Sequence, residues 1–238
     1  AGVSTIDRID LGAASEYAVL AGSAVTSAGQ AGTVVYGNVG VNPGSAVDGF
    51  PPAECYGIID AGNAAAGAAQ SSLTAAYNEA AGRPTTTILS GQGLGGMTLA
   101  QGVYTFSSTA ELDGMLTLDA HGNANSVWIF QVGSALNVVQ SSSIIFKDSV
   151  GNPENVYWQV GATATINHDA ALVGNFMAMQ TVTLDTGASV VGRLLARSAA
   201  VTLAFNSVKI PDYLIFNSNI TITGVTTASI TTNGQNAI

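Results

Sequence analysis

The polar side chains that recur in a regular pattern along this sequence are threonines. They occur in the segments Thr163-Ala164-Thr165, Thr181-Val182-Thr183 and Ala200-Val201-Thr202. The alternation of threonine with aliphatic residues predicts strands that bury one side and expose the other. Threonine is restricted at χ1, so an array of threonines holds its methyl and hydroxyl groups in fixed positions. The methyl groups can order nearby water and the hydroxyl groups can anchor it, which predicts a binding surface.

Acid–base chemistry has less support. Glu111 and Asp113 stand two residues apart on one predicted strand, as in some β-helix glycosidases and lyases, but a solvated patch is the commoner meaning of such a pair. His168-Asp169 is typical of a polar turn. His121 lies in a Gly/Asn turn, and two histidines on different coils make a poor metal site. We therefore expect no catalytic residue, no metal and no cofactor.

Composition excludes several other classes of protein. Only 9% of the 238 residues are charged and 47% are apolar, with a net charge of −9, whereas an ordinary domain is about 25% charged. Six Lys and Arg are too few for a nucleic-acid or anionic membrane surface. Cys55 is the single cysteine, so no disulfide forms within the chain, and we interpret it as a structural or incidental thiol. A start at Ala1 without a signal peptide predicts a processed, secreted protein.

Internal similarity predicts how the threonines are positioned. Residues 127–133 resemble residues 156–161, and a set of inward aliphatic residues recurs about every 20 residues, with an extra polar segment at 147–155. That set is Leu118, Val138, Ile166, Leu184 and Leu203. A repeat of this length with short strands predicts a mainly β fold, a β-solenoid with three strands per coil and a roughly triangular cross-section.

One strand of each coil is apolar on both sides, as at 156–160, and must be covered on both sides. The Ala-rich segment 60–81, followed by Gly82 and Pro84, predicts the long α-helix that covers these strands. We expect Trp128, Tyr157 and Trp158 to lie in the core or against this helix. Residues 1–211 then form one domain. Residues 212–238 form a tail that pairs with a solenoid edge, caps it or contacts a partner.

Several segments resemble the microbial ice-binding protein family, the antifreeze proteins of the DUF3494 type. They are 11–20 (LGAASEYAVL), 37–44 (GNVGVNPG), 155–161 (NVYWQVG) and 192–197 (GRLLAR) followed by Val201-Thr202-Leu203. They occur in the family's order over roughly residues 10–211. The resemblance implies a right-handed discontinuous β-helix with one long α-helix alongside, secretion, binding to ice, and no catalysis. Thermal hysteresis and inhibition of ice recrystallisation are the activities it implies.

The resemblance also directs attention to the turn at Thr186-Gly187-Ala188-Ser189, which is close to the family's Thr-Gly-x-Thr motif but ends in Ser. The segments at 168–171 and 140–143 depart further from it. Two ladders of residues remain as the ice-binding surface. The first comprises Thr117, Thr163, Thr165, Thr181, Thr183 and Thr202; the second comprises Ser143, Ala171, Ser189 and Val191, beside the turn at Thr186.

Ice is thus the expected partner, and we expect a monomer, with a dimer through the tail as the alternative. A secreted carbohydrate-binding or carbohydrate-active β-helix protein stays open, and it would require a cleft with two or three converging carboxylates. A surface adhesin module stays open as well, and it would show linkers or repeats beyond the solenoid.

Overall fold

The computed structural model describes residues 6–28 and 32–211, and there the chain winds into stacked coils of three short strands. Neighbouring coils pair in parallel. The three strands of each coil form three walls, which we call the helix wall, the threonine wall and the mixed wall. The mainly β solenoid predicted from the repeat is confirmed.

The helix wall contains β1 (Tyr17–Ala21), β4 (Asn38–Val41), β7 (Ile59–Ala61), β8 (Thr87–Ile88), β10 (Gly102–Phe106), β13 (Trp128–Val132), β16 (Val156–Val160) and the second halves of β18 (Ala171–Ala178) and β20 (Ser189–Ala196). The threonine wall contains β2 (Ala24–Ser27), β5 (Ala46–Asp48), β11 (Ala110–Leu112), β14 (Leu136–Val138), β17 (Ala164–Ile166), β19 (Val182–Leu184) and β21 (Val201–Leu203). The mixed wall contains β3 (Val34–Tyr36), β6 (Glu54–Cys55), β9 (Thr98–Ala100), β12 (Met115–Asp119), β15 (Ser143–Phe146), β22 (Ser207–Lys209) and the first halves of β18 and β20.

The stack does not follow chain order. The amino-terminal strands β1, β2 and β3 pair with β20, β21 and β22, so the first coils of the sequence lie on top of the last. The solenoid is therefore discontinuous, and the chain must travel back along the outside of the stack to begin the coil that contains β8.

Helix α1 (Ala64–Gly82) makes this return. Its 19 residues span about 28 Å at 1.5 Å per residue. The six steps from β7 to β13 along the helix wall cover nearly the same length at about 4.8 Å per step. At the far end, the Gln131 amide of β13 donates hydrogen bonds to the carbonyl oxygens of Ala80 (2.9 Å) and Arg83 (2.8 Å). The sheet thereby satisfies carbonyl groups that a helix end leaves unpaired.

The predicted helix start at residue 60 is wrong, whereas the predicted stop at Gly82 before Pro84 is confirmed. Asp60 lies in β7, and its carboxylate accepts hydrogen bonds from the Tyr17 hydroxyl (2.7 Å) and the Asn63 amide (2.6 Å). The helix starts later because the Asn63 side chain accepts a bond from the Ala66 N–H (3.0 Å) and acts as its N-cap.

The interior of the solenoid contains a stack of aromatic rings. Tyr104, Phe130, Trp158 and Phe176 take the same position on four successive coils. The Phe130 and Trp158 ring centroids are 3.9 Å apart with an interplanar angle of 8°, and those of Trp158 and Phe176 are 5.7 Å apart. Trp128 is also fully buried, and the Tyr157 hydroxyl faces the other way and donates to Ile9 O (3.1 Å). The core or helix contact predicted for the two tryptophans and Tyr157 is confirmed.

The predicted repeat is wrong at its first member, because Leu118 lies on a different wall from Val138. Val138 pairs with Leu112 on the threonine wall, whereas Leu118 pairs with Leu99 on the mixed wall. The error arose because a loop at 120–127 lengthens this coil. The segment 147–155 is a surface loop with two short 3₁₀ turns, as predicted. The segment 212–238, predicted to be a tail, lies outside the described residues, as do residues 1–5.

We expect Trp158→Ala to lower the free energy of unfolding by about 3–5 kcal/mol, because it leaves a large cavity in the aromatic stack. Thr165→Ala is the control, since Thr165 faces outward and should change stability by no more than about 0.5 kcal/mol. Urea unfolding followed by circular dichroism measures both. A loss for Trp158→Ala no greater than that of the control would contradict the role assigned to the stack.

Candidate functional site

Four threonines of the threonine wall lie in line on four successive coils. Thr165 pairs with Thr183, Thr183 with Thr202, and Thr202 with Thr26. We call this column the threonine ladder. Parallel strands lie about 4.7–4.9 Å apart, so the ladder repeats its side chain at that interval.

A second column runs beside the ladder, two residues earlier in the sequence, at the residue just before β17, β19 and β21 and at the first residue of β2. It contains Thr163, Thr181, Ala200 and Ala24. The hydrogen bonds between coils continue at this column. The carbonyl oxygens of Thr163 and Thr181 accept from Leu136 N–H and Ala164 N–H, both at 2.9 Å. Residues i and i+2 of a strand are about 6.6–6.8 Å apart. The two columns thus form a two-dimensional grid of methyl and hydroxyl groups.

The grid rests on a closely packed support. The residues that alternate with the threonines point inward and are fully buried, among them Val25, Val182 and Val201. The ladder threonines are half-buried, because each has a neighbour above and below it. A β-branched side chain in such a row has little rotational freedom left, so its groups stay in place.

Charged or amide side chains border the ladder at both ends. Asn137 follows Thr165 on one side and Glu111 follows Asn137, while Asp48 follows Thr26 on the other. All three side chains are exposed. The four ladder positions between them carry no charge. Asp113, the partner of Glu111 in the predicted acid pair, accepts a hydrogen bond from Gly95 N–H (2.8 Å), which gives it a structural role.

Sequence reasoning missed Thr26 and Ala24. The signal was present, because Ala24-Val25-Thr26 repeats the pattern of Ala200-Val201-Thr202. The segment was overlooked because the two are far apart in the sequence, and only the stacking of the first coils on the last brings them together.

The prediction that Thr117 belongs to this ladder is wrong. Thr117 lies on the mixed wall, where it pairs with Thr98 and Ile145. Its expected place in the ladder is occupied by Glu111. The cause is the loop at 120–127, which makes the coil that contains β11 and β12 longer than the repeat. A threonine one repeat before the ladder therefore lies on the mixed wall. The other five members of the predicted first ladder, Thr163, Thr165, Thr181, Thr183 and Thr202, do lie on the threonine wall.

The second predicted ladder lies on the mixed wall. Ser143, Ala171 and Ser189 pair in sequence there. The neighbouring outward column differs in character, because Ile145 and Val191 are both 41% exposed and Lys209 follows Val191. Met115, in line with Ser143, is 50% exposed. This wall therefore combines small, large apolar and charged side chains.

The corner between these two walls carries charge. His168 Nδ1 lies 3.1 Å from the Asp169 carboxylate, both exposed, and Asp185 is exposed one coil further on. Thr186 is exposed at this corner and its carbonyl accepts from Asp169 N–H (3.1 Å). The following position is left-handed, with φ +77° at Gly187 and 60° at Asp169, which explains the glycine of the Thr-Gly-x-Ser turn.

A cavity of about 280 Å³ lies on the helix side, lined in part by Arg8, Glu154, Tyr157 and Arg193. Three of its charged groups are paired, since Glu154 accepts from Arg193 (3.1 Å) and Arg8 (3.0 Å), and the Asp10 carboxylate accepts from Gly12 N–H (2.8 Å). Burial lowers the pKa of the Arg193 guanidinium, and the Asn175 Oδ1 atom (2.9 Å) and Ser15 O (2.9 Å) accept its other hydrogen bonds. The cluster fixes the 147–155 loop and residue 15 to the helix wall, which is a structural task.

Within residues 6–28 and 32–211, no group of three or more His, Cys, Asp or Glu side chains is placed to hold a metal ion. None of the helices in this part of the chain has the length and hydropathy needed to cross a membrane.

Comparison with known proteins bears on the family. The ice-binding-like family model matches residues 19–209. An ice-binding protein from a Nostoc species is 42% identical over 83% of this chain and 72% of its own, and one from Flavobacterium frigoris is 32% identical over 87% of this chain and 78% of its own. The crystal structure of an ice-binding protein from the Antarctic ascomycete Antarctomyces psychrotrophicus superposes with a TM-score of 0.81 at 38% identity, over 85% of this chain and 98% of its own.

A second crystal structure, of an ice-binding protein from an Antarctic biological consortium, superposes with a TM-score of 0.84 at 33% identity, over 88% of this chain and 94% of its own. The matched segment includes every wall described above, both columns of the grid and the helix that closes the stack. The chain belongs to the ice-binding-like family.

Proposed function

We propose that this protein binds ice through the threonine wall and thereby causes thermal hysteresis and inhibits ice recrystallisation. The observation that carries the proposal is the alignment of Thr165, Thr183, Thr202 and Thr26 on four successive coils. Relatives named ice-binding proteins support it.

The dimensions of the wall suit a crystal of water. Hydrogen-bonded water oxygens about 2.75 Å apart, arranged tetrahedrally, place second neighbours about 4.5 Å apart. The coil spacing of about 4.7–4.9 Å differs from this by less than a tenth. Water held at equivalent positions on successive threonines therefore lies near the spacing it has in ice.

The chemistry of the side chains suits the same task. The methyl groups leave adjacent water to bond with itself, and the hydroxyl groups give that water fixed partners. The buried valines beneath keep the threonines in place, so binding costs little side-chain entropy. A charged group would orient water tightly around itself, and the ladder positions between Asn137 and Asp48 carry none.

The mixed wall suits ice less well. Its outward column runs from Thr117 through Ile145 to Val191 and Lys209, so side-chain length and charge change along the stack. His168, Asp169 and Asp185 at the corner separate it from the threonine wall. The second predicted ladder, with Thr186, is therefore not part of our proposed contact surface, and we place the surface on the threonine wall alone.

We propose further that the protein has no catalytic activity, since Glu154 is paired with Arg193 and Asp113 bonds to Gly95 N–H, so neither carboxylate is left as part of a converging acid–base pair. It acts as a monomer, because the grid needs no second copy. It works outside the cell, where water freezes around the organism. Detecting the protein in the culture medium of its source would test the last point.

We expect Thr183→Tyr to reduce thermal hysteresis several-fold, because a bulky ring in the centre of the grid holds the wall away from the ice surface. Ala171→Tyr is the matched control, an exposed outward strand residue on the mixed wall. Nanolitre osmometry and partition into a growing ice front measure both variants, with circular dichroism as the check on folding. A loss in the control and not in Thr183→Tyr would move the site to the mixed wall, and wild-type exclusion from the ice front would refute ice binding itself.

We expect the double variant Glu111→Thr/Asn137→Thr to raise thermal hysteresis, because it extends the ladder by two coils and removes the charge at its end. Glu79→Thr is the control, since it removes an exposed carboxylate from α1, remote from the threonine wall. Hysteresis at equal protein concentration compares them. An increase of equal size in the control would show that net charge, and not the length of the ladder, sets the activity.

A further inference from the structure

The chain departs from its repeat of about 20 residues at two places, the loops at 120–127 and 147–155. They follow β12 and β15, which pair with each other, so the two loops lie on neighbouring coils at the corner between the mixed wall and the helix wall. They also touch, because Asn155 Nδ2 donates to Ala124 O (3.4 Å). Strands β18 and β20 turn the same corner without a loop. The stack therefore does not need these loops, and loops that a scaffold does not need commonly carry function.

A groove of about 370 Å³ lies at this corner. The described residues that line it come from both loops and from later coils, and all are uncharged, among them Asn125, Gly151, Asn152, Pro153, Val191 and Pro211. Its volume is at the lower end of the range of about 300–1,000 Å³ that is usual for small-molecule sites. The groove therefore suits a ligand of one or two rings.

Hydrogen bonds hold both loops in place around the groove. In the first loop, Asn123 Oδ1 accepts from Asn125 N–H (3.0 Å). In the second, Asn152 Oδ1 accepts from Glu154 N–H (2.9 Å), and the Glu154 carboxylate is anchored by Arg193 (3.1 Å). The groove is therefore preformed, and a ligand does not have to order its walls.

The lining of the groove combines amide groups with aliphatic surface. Asn152 uses its side-chain oxygen within the loop, which leaves the Nδ2 hydrogens for a ligand, and the exposed Asn125 amide carries both a donor and an acceptor. Val191 is aliphatic and 41% exposed. A neutral sugar has the matching chemistry, with hydroxyl groups around the ring and C–H groups on its faces. A charged ligand would lose hydration here without meeting an opposite charge in the lining.

We propose that this groove binds a neutral saccharide of one or two rings. The Asn125 and Asn152 amides hold neighbouring hydroxyl groups, and Val191 contacts the C–H face of the ring. The groove lies at the one corner of the triangular cross-section that the threonine wall does not share, so a bound sugar leaves that wall uncovered. The inference rests on the two loops and does not depend on ice as a ligand.

Nuclear magnetic resonance titration of the full chain tests the site, with the methyl glycosides of glucose, galactose and mannose as probes and sodium glucuronate as the charged comparison. We expect at least one neutral glycoside to bind with a dissociation constant on the order of 1 mM, as is usual for a ligand of this size. Glucuronate should bind more weakly. Asn125→Ala should weaken binding about three- to tenfold through the loss of one hydrogen bond, whereas Asn78→Ala on the exposed face of α1 should not.

A second pair of variants tests the position of the site. Val191→Phe fills the groove and should abolish binding of the glycoside. Ile145→Phe is the matched control, because Ile145 lies in the same outward column, is also 41% exposed and does not line the groove. Circular dichroism checks the folding of both.

Absence of binding by all three glycosides, at concentrations far above the expected constant, would overturn the inference. So would equal effects of Val191→Phe and Ile145→Phe, or binding of glucuronate as tight as that of the neutral sugars. Thermal hysteresis of Val191→Phe should stay at the wild-type value, since the groove shares no residue with the threonine wall. Because sugar titration involves no ice, failure of this site and failure of ice binding are distinguishable.

Discussion

The parallel stacking of coils is the interaction on which the rest of the structure depends. Each strand bonds to the same position of the strand above, as in the pairing of Thr165 with Thr183 and of Trp158 with Phe176. One hydrogen-bonding pattern therefore repeats every side chain along the axis, both inside and outside. The aromatic stack and the threonine ladder are two results of the same register. A slip of one residue would exchange inward and outward positions on a wall and destroy both.

The discontinuity of the stack places a second constraint on the chain. Because the amino-terminal coils lie on the carboxyl-terminal ones, the connection must run the length of the solenoid, and α1 does this with a length close to that of six coil steps. Its buried face is mostly alanine, with Leu73 and Tyr77 as the larger contacts. The Tyr77 hydroxyl accepts from the Gln159 amide (2.7 Å) and donates to Val160 O (3.2 Å), which joins helix and sheet at the centre of the stack.

This arrangement explains how much of the structure follows from sequence reasoning. Local patterns were sufficient for the strands at Thr163, Thr181 and Thr202, for the end of α1 at Gly82 and for the burial of Trp158. They failed where spatial neighbours are not sequence neighbours. Thr26 belongs to the ladder only because the stack is discontinuous. Thr117 does not belong to it, because the loop at 120–127 changes the length of one coil. The alternation of residues is a local property, whereas membership of a wall depends on every loop that precedes it.

The two outward walls are not equivalent, although their backbones repeat in the same way. On the threonine wall the repeat keeps one residue type for four coils and then ends at Asn137 on one side and Asp48 on the other. On the mixed wall the backbone repeats equally well, yet Ser143, Ala171 and Ser189 stand beside Ile145, Val191 and Lys209. A regular backbone therefore does not by itself make a regular surface. The ice contact that we propose requires a side chain that is small, uncharged and fixed by its own branching, and repeated threonine meets all three conditions. In the proposed contact with ice, the number of successive coils that keep threonine would set the area over which water is held in order.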